Sequence, residues 1–123
     1  MKISYIGCQG HWQYTLSQLD KNEVVGVCPG FVGEDISGLL DALKSRNIIP
    51  KVYKSYKDRL SVCDIAVVNP RFDLNAKITA DFLKNNVYVF SEKPLATTKN
   101  QLDEVLEVQS SSDAFVSAMF GIR

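Results

Sequence analysis

The sequence is poor in metal ligands and has no excess of charge of either sign. Its 123 residues include one histidine and three cysteines, and its 14 basic residues balance its 14 acidic ones. One histidine with scattered cysteines cannot assemble a recognisable ligand set, so we predict no metal site. Without net charge, no global field attracts nucleic acid or an anionic membrane surface, and we predict neither as a partner.

Signals for secretion, membrane insertion and disulfide bonding are also missing. One lysine followed by a short apolar run does not make a signal peptide, and no apolar stretch is long enough to span a bilayer. The cysteines form neither a C-x-x-C pair nor a dense framework; they are Cys8, Cys28 and Cys63. We therefore expect reduced thiols in a cytoplasmic protein.

The chain does contain the apolar material for one ordinary domain, since 46% of its residues are hydrophobic. Short apolar runs alternate with longer amphipathic ones, and no internal repeat or low-complexity linker interrupts them. The apolar runs predict six strands: ISYI (3–6), EVVGVC (23–28), KVYK (51–54), DIAVV (64–68), VYVF (87–90) and AFVSAMF (114–120).

Amphipathic spacing predicts four helices between these strands. Their spans and inner faces are His11–Asp20 with Trp12, Leu16 and Leu19; a helix after Asp35 with Ile36, Leu39, Leu40 and Leu43; Asn75–Lys84 with Ile78 and Phe82; and a helix capped by Thr98 and Gln101 with Leu102, Val105 and Leu106. Glu34 and Asp35 are expected in the first turn of the second helix, where the helix dipole favours acids. A turn or brief helix is expected from Lys57 to Leu60.

Strands that alternate with helices predict an α/β fold: a Rossmann-type, doubly wound parallel sheet of about six strands with helices on both faces. In such a sheet, ligands bind outside the carboxyl ends of the strands, where the strand order reverses. The residues that follow the strands are therefore the candidates for a site. They are GCQGHW after the first strand, PG after the second, NPRF after the fourth and SEKP after the fifth.

The glycine turn after the first strand departs from the dinucleotide-binding pattern. In that pattern the first glycine makes the bend, the second lets the pyrophosphate approach and the third lets the helix pack closely. Gly7 supplies the first, but Gln9 and Trp12 occupy the other two places. Gly10 could shift the point of close approach and leave the amides of residues 10–12 to hold a phosphate. From this stretch alone, a turn that binds nothing is as good an interpretation.

The residues after the fifth strand are more informative than those after the second. The second strand usually ends in an acid that takes the ribose hydroxyls, but Cys28 and Pro29 stand there. Lys93 follows the carboxyl end of a predicted interior strand, which places it over the ligand crevice, and Pro94 stiffens the turn that aims it. A lysine so placed is able to orient a polar group or exchange a proton with it.

Three stretches, YIGCQGHW (5–12), VVNP (67–70) and VFSEKPLATT (89–98), resemble in order and spacing the N-terminal half of the glucose-fructose oxidoreductase and myo-inositol dehydrogenase family, often written Gfo/Idh/MocA. The resemblance implies that residues 1–123 form a Rossmann domain that binds NAD or NADP, without distinguishing the two. It also implies a second, α+β domain for a sugar- or polyol-like substrate, which is absent from these 123 residues. We therefore expect the 123-residue chain alone to be inactive.

The resemblance also assigns residues to the site. Lys93 matches the family lysine that lies beside the nicotinamide and the substrate, so it is the expected catalytic residue and a cofactor contact. The implied reaction is hydride transfer between a carbinol carbon and the nicotinamide C4 atom, with Lys93 helping to move or orient the hydroxyl proton. Asn75 stands where many relatives have a histidine. The remaining residues are expected to bind the cofactor: Gly7, Cys8, Gln9, Gly10, His11 and Trp12 at the pyrophosphate turn, Asn69 and Pro70 after the fourth strand, and Glu92 and Pro94 around the lysine.

Two other interpretations stay open. Gln9, Trp12 and Pro29 favour a non-catalytic Rossmann module that has lost its cofactor. A phosphorylation-receiver domain has a similar length and a Lys-Pro after its fifth strand, but it needs an acidic pair after the first strand, where GCQGHW stands. The receiver interpretation is therefore poor. The expected partners are a nicotinamide dinucleotide and, in a longer form, a sugar- or polyol-like substrate, with a homo-oligomer left open.

Overall fold

The computed structural model describes residues 1–119 and contains the predicted parallel sheet. Its strands are β1 (Lys2–Ile6), β2 (Glu23–Cys28), β3 (Ile65–Val68), β4 (Tyr88–Ser91) and β5 (Val116–Ala118). They lie in the order β2-β1-β3-β4-β5, and every adjacent pair is parallel. The Rossmann-type α/β fold is thereby confirmed. Residue 120, with which the predicted last strand ends, lies outside the described residues.

The predicted third strand, KVYK, is reduced to a single parallel bridge between Val52 and Val27. Two hydrogen bonds hold it: Val27 N donates to Lys51 O at 3.0 Å, and Tyr53 N donates to Val27 O at 2.8 Å. If this bridge is counted as the third strand, the sheet has the doubly wound order 3-2-1-4-5-6 and reverses between β1 and β3.

Helices cover both faces of the sheet, as predicted. Within residues 1–119 the α-helices are α1 (Ser37–Lys44), α2 (Phe72–Lys84) and α3 (Lys99–Ser110), and the 3₁₀ helices are Trp12–Lys21 and Tyr56–Arg59. Side chains alternate along β1 and divide the core into two layers. Ile6 belongs to the layer with Phe82 of α2 and Val105 of α3. Tyr5 belongs to the opposite layer, with Trp12 and Leu39.

Two predicted helix faces differ in the structure. In the first helix, which is of the 3₁₀ type, Thr15 is buried together with the expected Trp12 and Leu19, while the expected Leu16 is partly buried and packs against the same core layer. In α3, Val105 is buried as predicted, but Leu102 and Leu106 are 41% and 56% exposed. These two leucines are four residues apart and form a row of their own beside Val105, so they face solvent.

The other predicted features of the helices are present. Most residues expected on the inner faces of α1 and α2 are buried, namely Ile36, Leu39, Leu43, Ile78 and Phe82. Leu40 is half-buried and packs against the layer that contains Leu39. The α2 helix begins at Phe72, earlier than predicted. At the start of α3, the Thr98 side chain accepts a hydrogen bond from Gln101 N at 3.2 Å. The Gln101 side chain reaches back to Thr97 N at 2.9 Å, one residue before the expected capping-box partner.

Leu39→Ala is expected to destabilise the fold by about 2–5 kcal/mol, because it opens a cavity beneath α1 at a fully buried position. The matched control is Leu106→Ala in α3, at a leucine that is 56% exposed, with an expected change within about 0.5 kcal/mol. Urea unfolding followed by circular dichroism measures both. Equal losses for the two variants would contradict this assignment of buried and exposed faces.

Candidate functional site

The carboxyl ends of the strands meet at one edge of the sheet. Gln9 N, after β1, donates to Asn69 O, after β3, at 2.9 Å. Glu92 N, after β4, donates to the last carbonyl of β3 at 2.8 Å, and Gly7 N donates to the last carbonyl of β2 at 2.8 Å. The structure therefore brings together the predicted stretches GCQGHW, NP and SEKP.

Two glycines of the first turn are required by neighbouring protein groups. Gly7 has a φ of 73°, and a Cβ built on it would lie 2.5 Å from Asn69 O. Both the left-handed backbone and the close approach of the β3 loop therefore favour glycine. A Cβ on Gly10 would overlap the carboxylate of Glu92. The need for glycine at residue 10 thus comes from a protein carboxylate.

Glu92 is the central side chain of this edge. It is 2% exposed, and its carboxylate accepts hydrogen bonds from His11 N, from His11 Nδ1 at 2.9 Å and from Lys93 N at 2.9 Å. Because His11 immediately precedes the first 3₁₀ helix, the carboxylate lies at the positive end of that helix. Glu92 thereby links the glycine turn to the loop that carries Lys93.

Opposing effects act on the pKa of Glu92. Burial favours the neutral acid and raises the pKa. The hydrogen bonds from His11 N, Lys93 N and the His11 ring favour the carboxylate and lower the pKa. Together the hydrogen bonds outweigh burial, so the pKa of Glu92 lies below its ordinary value and the side chain is charged at neutral pH.

Glu34 forms a second carboxylate contact with the glycine turn. It is 8% exposed, and its Oε1 accepts from Cys8 N at 3.1 Å and from Gln9 Nε2 at 2.9 Å. Its Oε2 accepts from Gly30 N at 2.7 Å, just after β2. The expectation that Glu34 lies in the first turn of a helix is wrong, because α1 begins only at Ser37. Gln9, in the place of the middle glycine, has a protein partner in this carboxylate.

The two neighbouring acids separate because the chain reverses before them. Gly33 has a φ of 84°, a conformation that favours glycine, and Glu34 then folds back to the glycine turn. Asp35 keeps a role at the start of the helix, since its Oδ1 accepts from Ser37 N at 2.9 Å. The only sequence signal for this reversal is the pair of glycines at 30 and 33, which does not indicate where the acid goes.

Asn69 is fully buried and carries an unpaired oxygen. Its side chain is 0% exposed, and within the described residues its Oδ1 has no hydrogen-bond partner. Its Nδ2 lies 3.9 Å from Met119 Sδ, a weak acceptor. Buried polar atoms are nearly always paired, so this oxygen is available to a donor from a ligand. The adjacent Pro70 is also buried and packs against Gly30, where a Cβ would lie 2.6 Å from Pro70 Cβ.

Lys93 is exposed, and its ammonium makes no ion pair with any residue from 1 to 119. It precedes Pro94, and the peptide bond between them is cis. The carbonyls on either side of Lys93 both accept hydrogen bonds from Asn75, at 2.6 Å for Glu92 O and 2.9 Å for Pro94 O. The site predicted from the sequence did not include Asn75. The only indication that this position matters comes from the family resemblance, which implies a histidine there in many relatives.

The side chains of Trp12 and Cys8 are engaged within the protein. Trp12 is 7% exposed and belongs to the core layer with Leu39, so only its backbone remains at the turn. Burial and the charges of Glu34 and Asp35 raise the pKa of the Cys8 thiol to about 11. Its Sγ donates to Asp35 O at 3.2 Å. Cys8 is therefore a neutral thiol and not a nucleophile.

Carboxylates, backbone amides and a lysine line the edge formed by the strand ends. In the part of the chain that the structure describes, no group of three or more His, Cys, Asp or Glu residues could hold a metal ion. Over the same 119 residues, no helix is long and apolar enough to cross a membrane.

Residues 3–120 match the family described as "Oxidoreductase family, NAD-binding Rossmann fold", GFO_IDH_MocA. The chain belongs to this family. It is an NAD-binding Rossmann domain of the Gfo/Idh/MocA type, as the sequence resemblance predicts. No curated protein sequence matches it.

Solved structures share the fold of this Gfo/Idh/MocA domain. An oxidoreductase from Thermotoga maritima is 39% identical with a TM-score of 0.94, and the match covers 100% of this chain and 39% of that one. A myo-inositol dehydrogenase from Lactobacillus casei, in complex with NAD(H) and myo-inositol, is 20% identical with a TM-score of 0.76, over 96% of this chain and 36% of that one. The 3-ketoreductase KijD10 from Actinomadura kijaniata, in complex with NADP and TDP-benzene, is 20% identical with a TM-score of 0.71, over 96% and 36%. The chain spans less than two fifths of the length of each.

Glu92→Gln is expected to lower the free energy of unfolding at neutral pH. The pKa of Glu92 is lower in the folded chain than in the unfolded one, so its carboxylate contributes stability above the unfolded-state pKa. That contribution is lost as the pH falls through the folded-state pKa, and the difference between wild type and variant should close there. Urea unfolding from about pH 7 to about pH 3 measures the difference.

Glu104→Gln is the matched control for Glu92→Gln. Glu104 is 47% exposed and lies 3.7 Å from Lys84 in a surface pair, so its replacement should change stability little at any of these pH values. A difference between wild type and Glu92→Gln that stays constant as the solution is acidified would contradict the assigned role of the Glu92 carboxylate.

Proposed function

We propose that this domain serves an NAD-dependent oxidoreductase that transfers a hydride between a sugar- or polyol-like carbinol and nicotinamide. The observation that carries the proposal is the link made by Glu92, which joins the glycine turn at His11 N to the loop of Lys93. The two loops are thus held together beside the point where the strand order reverses, and this supports the proposal because α/β sheets bind dinucleotides at that point. The substrate domain would belong to a longer chain, as the greater length of the relatives supports.

The residues at this edge fit a dinucleotide. Asn69 Oδ1 is a buried acceptor without a partner in the described residues, which a ligand hydroxyl or amide would satisfy. In the glycine turn the amides from Gly7 to Gln9 and that of His11 already have protein acceptors. The amides of Gly10 and Trp12, at the start of the first 3₁₀ helix, have none among residues 1–119 and would be left for a phosphate. Pro70, after β3, and Pro94, after β4, would border the crevice. Lys93 would lie at its nicotinamide end.

Nicotinamide, when bound, accepts or gives the hydride at its C4 atom. The part of this chain would be to position the reactants and to manage the proton of the carbinol. Lys93 has an exposed ammonium without an ion pair in the described residues, so it is available to a substrate hydroxyl. It would orient the substrate oxygen through a hydrogen bond. In carbonyl reduction the ammonium would give a proton to that oxygen and become an amine, and in carbinol oxidation the amine would take the hydroxyl proton. Glu92, through Lys93 N, would hold the lysine loop in place.

The cofactor we propose is NAD in preference to NADP. The Glu34 carboxylate lies between the glycine turn and the end of β2, bonded to Cys8 N and Gly30 N. Rossmann domains place an acid at this strand end for the ribose hydroxyls of NAD, and such an acid repels the 2′-phosphate of NADP. Arg71 reaches the loop after β2, where its Cζ lies 4.9 Å from the centroid of the Phe31 ring, but its guanidinium is already paired with both oxygens of Asp73, at 2.9 and 3.1 Å. The neighbours with NAD(H) and with NADP support a nicotinamide cofactor of either kind.

Glu34→Gln is expected to reduce the preference for NADH over NADPH by about tenfold, because it removes a charge that would repel the 2′-phosphate. The amide keeps one acceptor oxygen for the glycine turn. The dissociation constants of both cofactors, from fluorescence titration, measure the ratio. Glu23→Gln, at the exposed opposite end of β2, is the control and should leave the ratio unchanged. The same NADH to NADPH ratio in wild type and Glu34→Gln would contradict the assignment.

A second candidate function is a non-catalytic Rossmann module. It is favoured by the two carboxylates that already occupy amides of the glycine turn, Glu34 at Cys8 N and Glu92 at His11 N. These groups stand where a pyrophosphate would approach, and they bring negative charge there. If they were never displaced or bypassed, the turn would be complete without a cofactor.

Calorimetric titration of the 123-residue chain separates the two functions. We expect saturable heat with NADH at one site per chain, because the cofactor would reach the unpaired Asn69 oxygen and the Lys93 loop. Absence of heat with both NADH and NADPH would instead support the module.

A cytoplasmic location is part of the proposal, and the three free thiols support it.

A further inference from the structure

We propose that Asn75 is a positioning residue that fixes the backbone of Lys93, an inference that rests on the function proposed above. Asn75 lies near the start of α2 and is 0% exposed. Because the Asn75 side chain is fully buried, it does not itself contact a bound ligand. It acts on Lys93 through the loop from Glu92 to Pro94. A buried side chain thus determines the position of an exposed lysine.

The Asn75 carboxamide holds the lysine loop at two points. Its Nδ2 donates to Glu92 O at 2.6 Å and to Pro94 O at 2.9 Å. An amide nitrogen has two hydrogens, and here both are used on the carbonyls that flank Lys93. The backbone before and after the lysine is therefore fixed to the same rigid helix.

Two hydroxyls determine which way the carboxamide faces. Ser91 Oγ lies 2.9 Å from Asn75 Oδ1, and Thr79 Oγ1 lies 3.4 Å from it, so both are able to donate to this oxygen. Rotating the carboxamide by half a turn would set its oxygen against two carbonyls and its NH₂ against these hydroxyls. The surroundings therefore select the orientation that holds the loop.

The other side of the loop is held by Glu92, whose Oε1 accepts from Lys93 N at 2.9 Å. Lys93 is thus fixed through its own amide and through both neighbouring carbonyls. Its side chain forms no ion pair among residues 1–119, so no partner in that part of the chain fixes the ammonium. The place of the ammonium then depends on the backbone that Asn75 holds.

The test compares NADH with ADP-ribose, which has the adenosine and pyrophosphate groups but no nicotinamide. Asn75→Ala should weaken NADH binding about tenfold, because the lysine loop at the nicotinamide end is released. It should leave the dissociation constant of ADP-ribose within about twofold of wild type. A purely structural role would weaken both ligands alike, and that result, or no change for either, would overturn the inference.

The matched control is Tyr56→Phe. It removes a hydrogen bond of 2.7 Å from the tyrosine hydroxyl to Asp81 of the same α2 helix, away from the lysine loop. It should therefore perturb α2 without changing the ratio of NADH to ADP-ribose affinity. A change in that ratio as large as that of Asn75→Ala would also count against the inference.

Amide hydrogen exchange provides a reading that needs no cofactor. In Asn75→Ala the Lys93 amide should exchange at least about tenfold faster than in wild type, while the β1 amides keep their rates. Unchanged exchange at Lys93 would overturn the inference. If the wild-type chain binds neither ligand, the proposed function fails while this measurement still decides the role of Asn75.

Ser91→Ala is the alternative variant for the same test if Asn75→Ala does not fold. It removes the hydroxyl that lies 2.9 Å from Asn75 Oδ1 and 3.0 Å from Glu92 O, and so loosens both the carboxamide and the lysine loop. The same faster exchange at Lys93, to a smaller extent, and the same selective loss of NADH affinity are expected. Wild-type exchange and wild-type affinities in this variant would overturn the inference.

Discussion

The buried carboxylate of Glu92 is the interaction on which the site depends. It accepts hydrogen bonds from His11 N, after β1, and from Lys93 N, after β4, and so joins loops 81 residues apart in sequence. Its requirements extend to its neighbours: residue 10 has to be glycine to leave room for it, and its own charge is kept by the hydrogen bonds that outweigh burial. The sheet brings the strand ends together, and this carboxylate fixes them relative to each other.

The departures of the glycine turn from the usual fingerprint have a common physical origin. Two carboxylates, those of Glu34 and Glu92, serve as anions for the turn's own amides. Gln9 donates to the first of them, and Gly10 makes room for the second. In the usual pattern the glycines of the turn let a pyrophosphate approach, whereas here Gln9 and Gly10 form contacts within the protein. The amides of the turn are therefore bonded to carboxylates from two other loops, and any cofactor has to be accommodated beside these carboxylates.

The fold could be predicted from the sequence because a strand such as IAVV, buried on both faces, reads as a continuous apolar run. Prediction failed at KVYK, which pairs with β2 through one bridge only, and at Leu106, where helix rotation depends on packing against α2. The strand-end rule located Gly7, Asn69 and Lys93. It could not locate Glu34 or Asn75, because the first depends on the path of a loop and the second acts from the buried side of a helix.

In the function that we propose, the ends of β1, β3 and β4 form one cofactor crevice. A map of backbone amide chemical shifts in the ¹⁵N-labelled chain, recorded as NADH is added, tests this directly. We expect the largest changes to fall together on residues 7–12, on Asn69 and on residues 92–93. Large changes confined to the opposite edge of the sheet, around residues 61–64 and 85–87, or no change at saturating NADH, would contradict it.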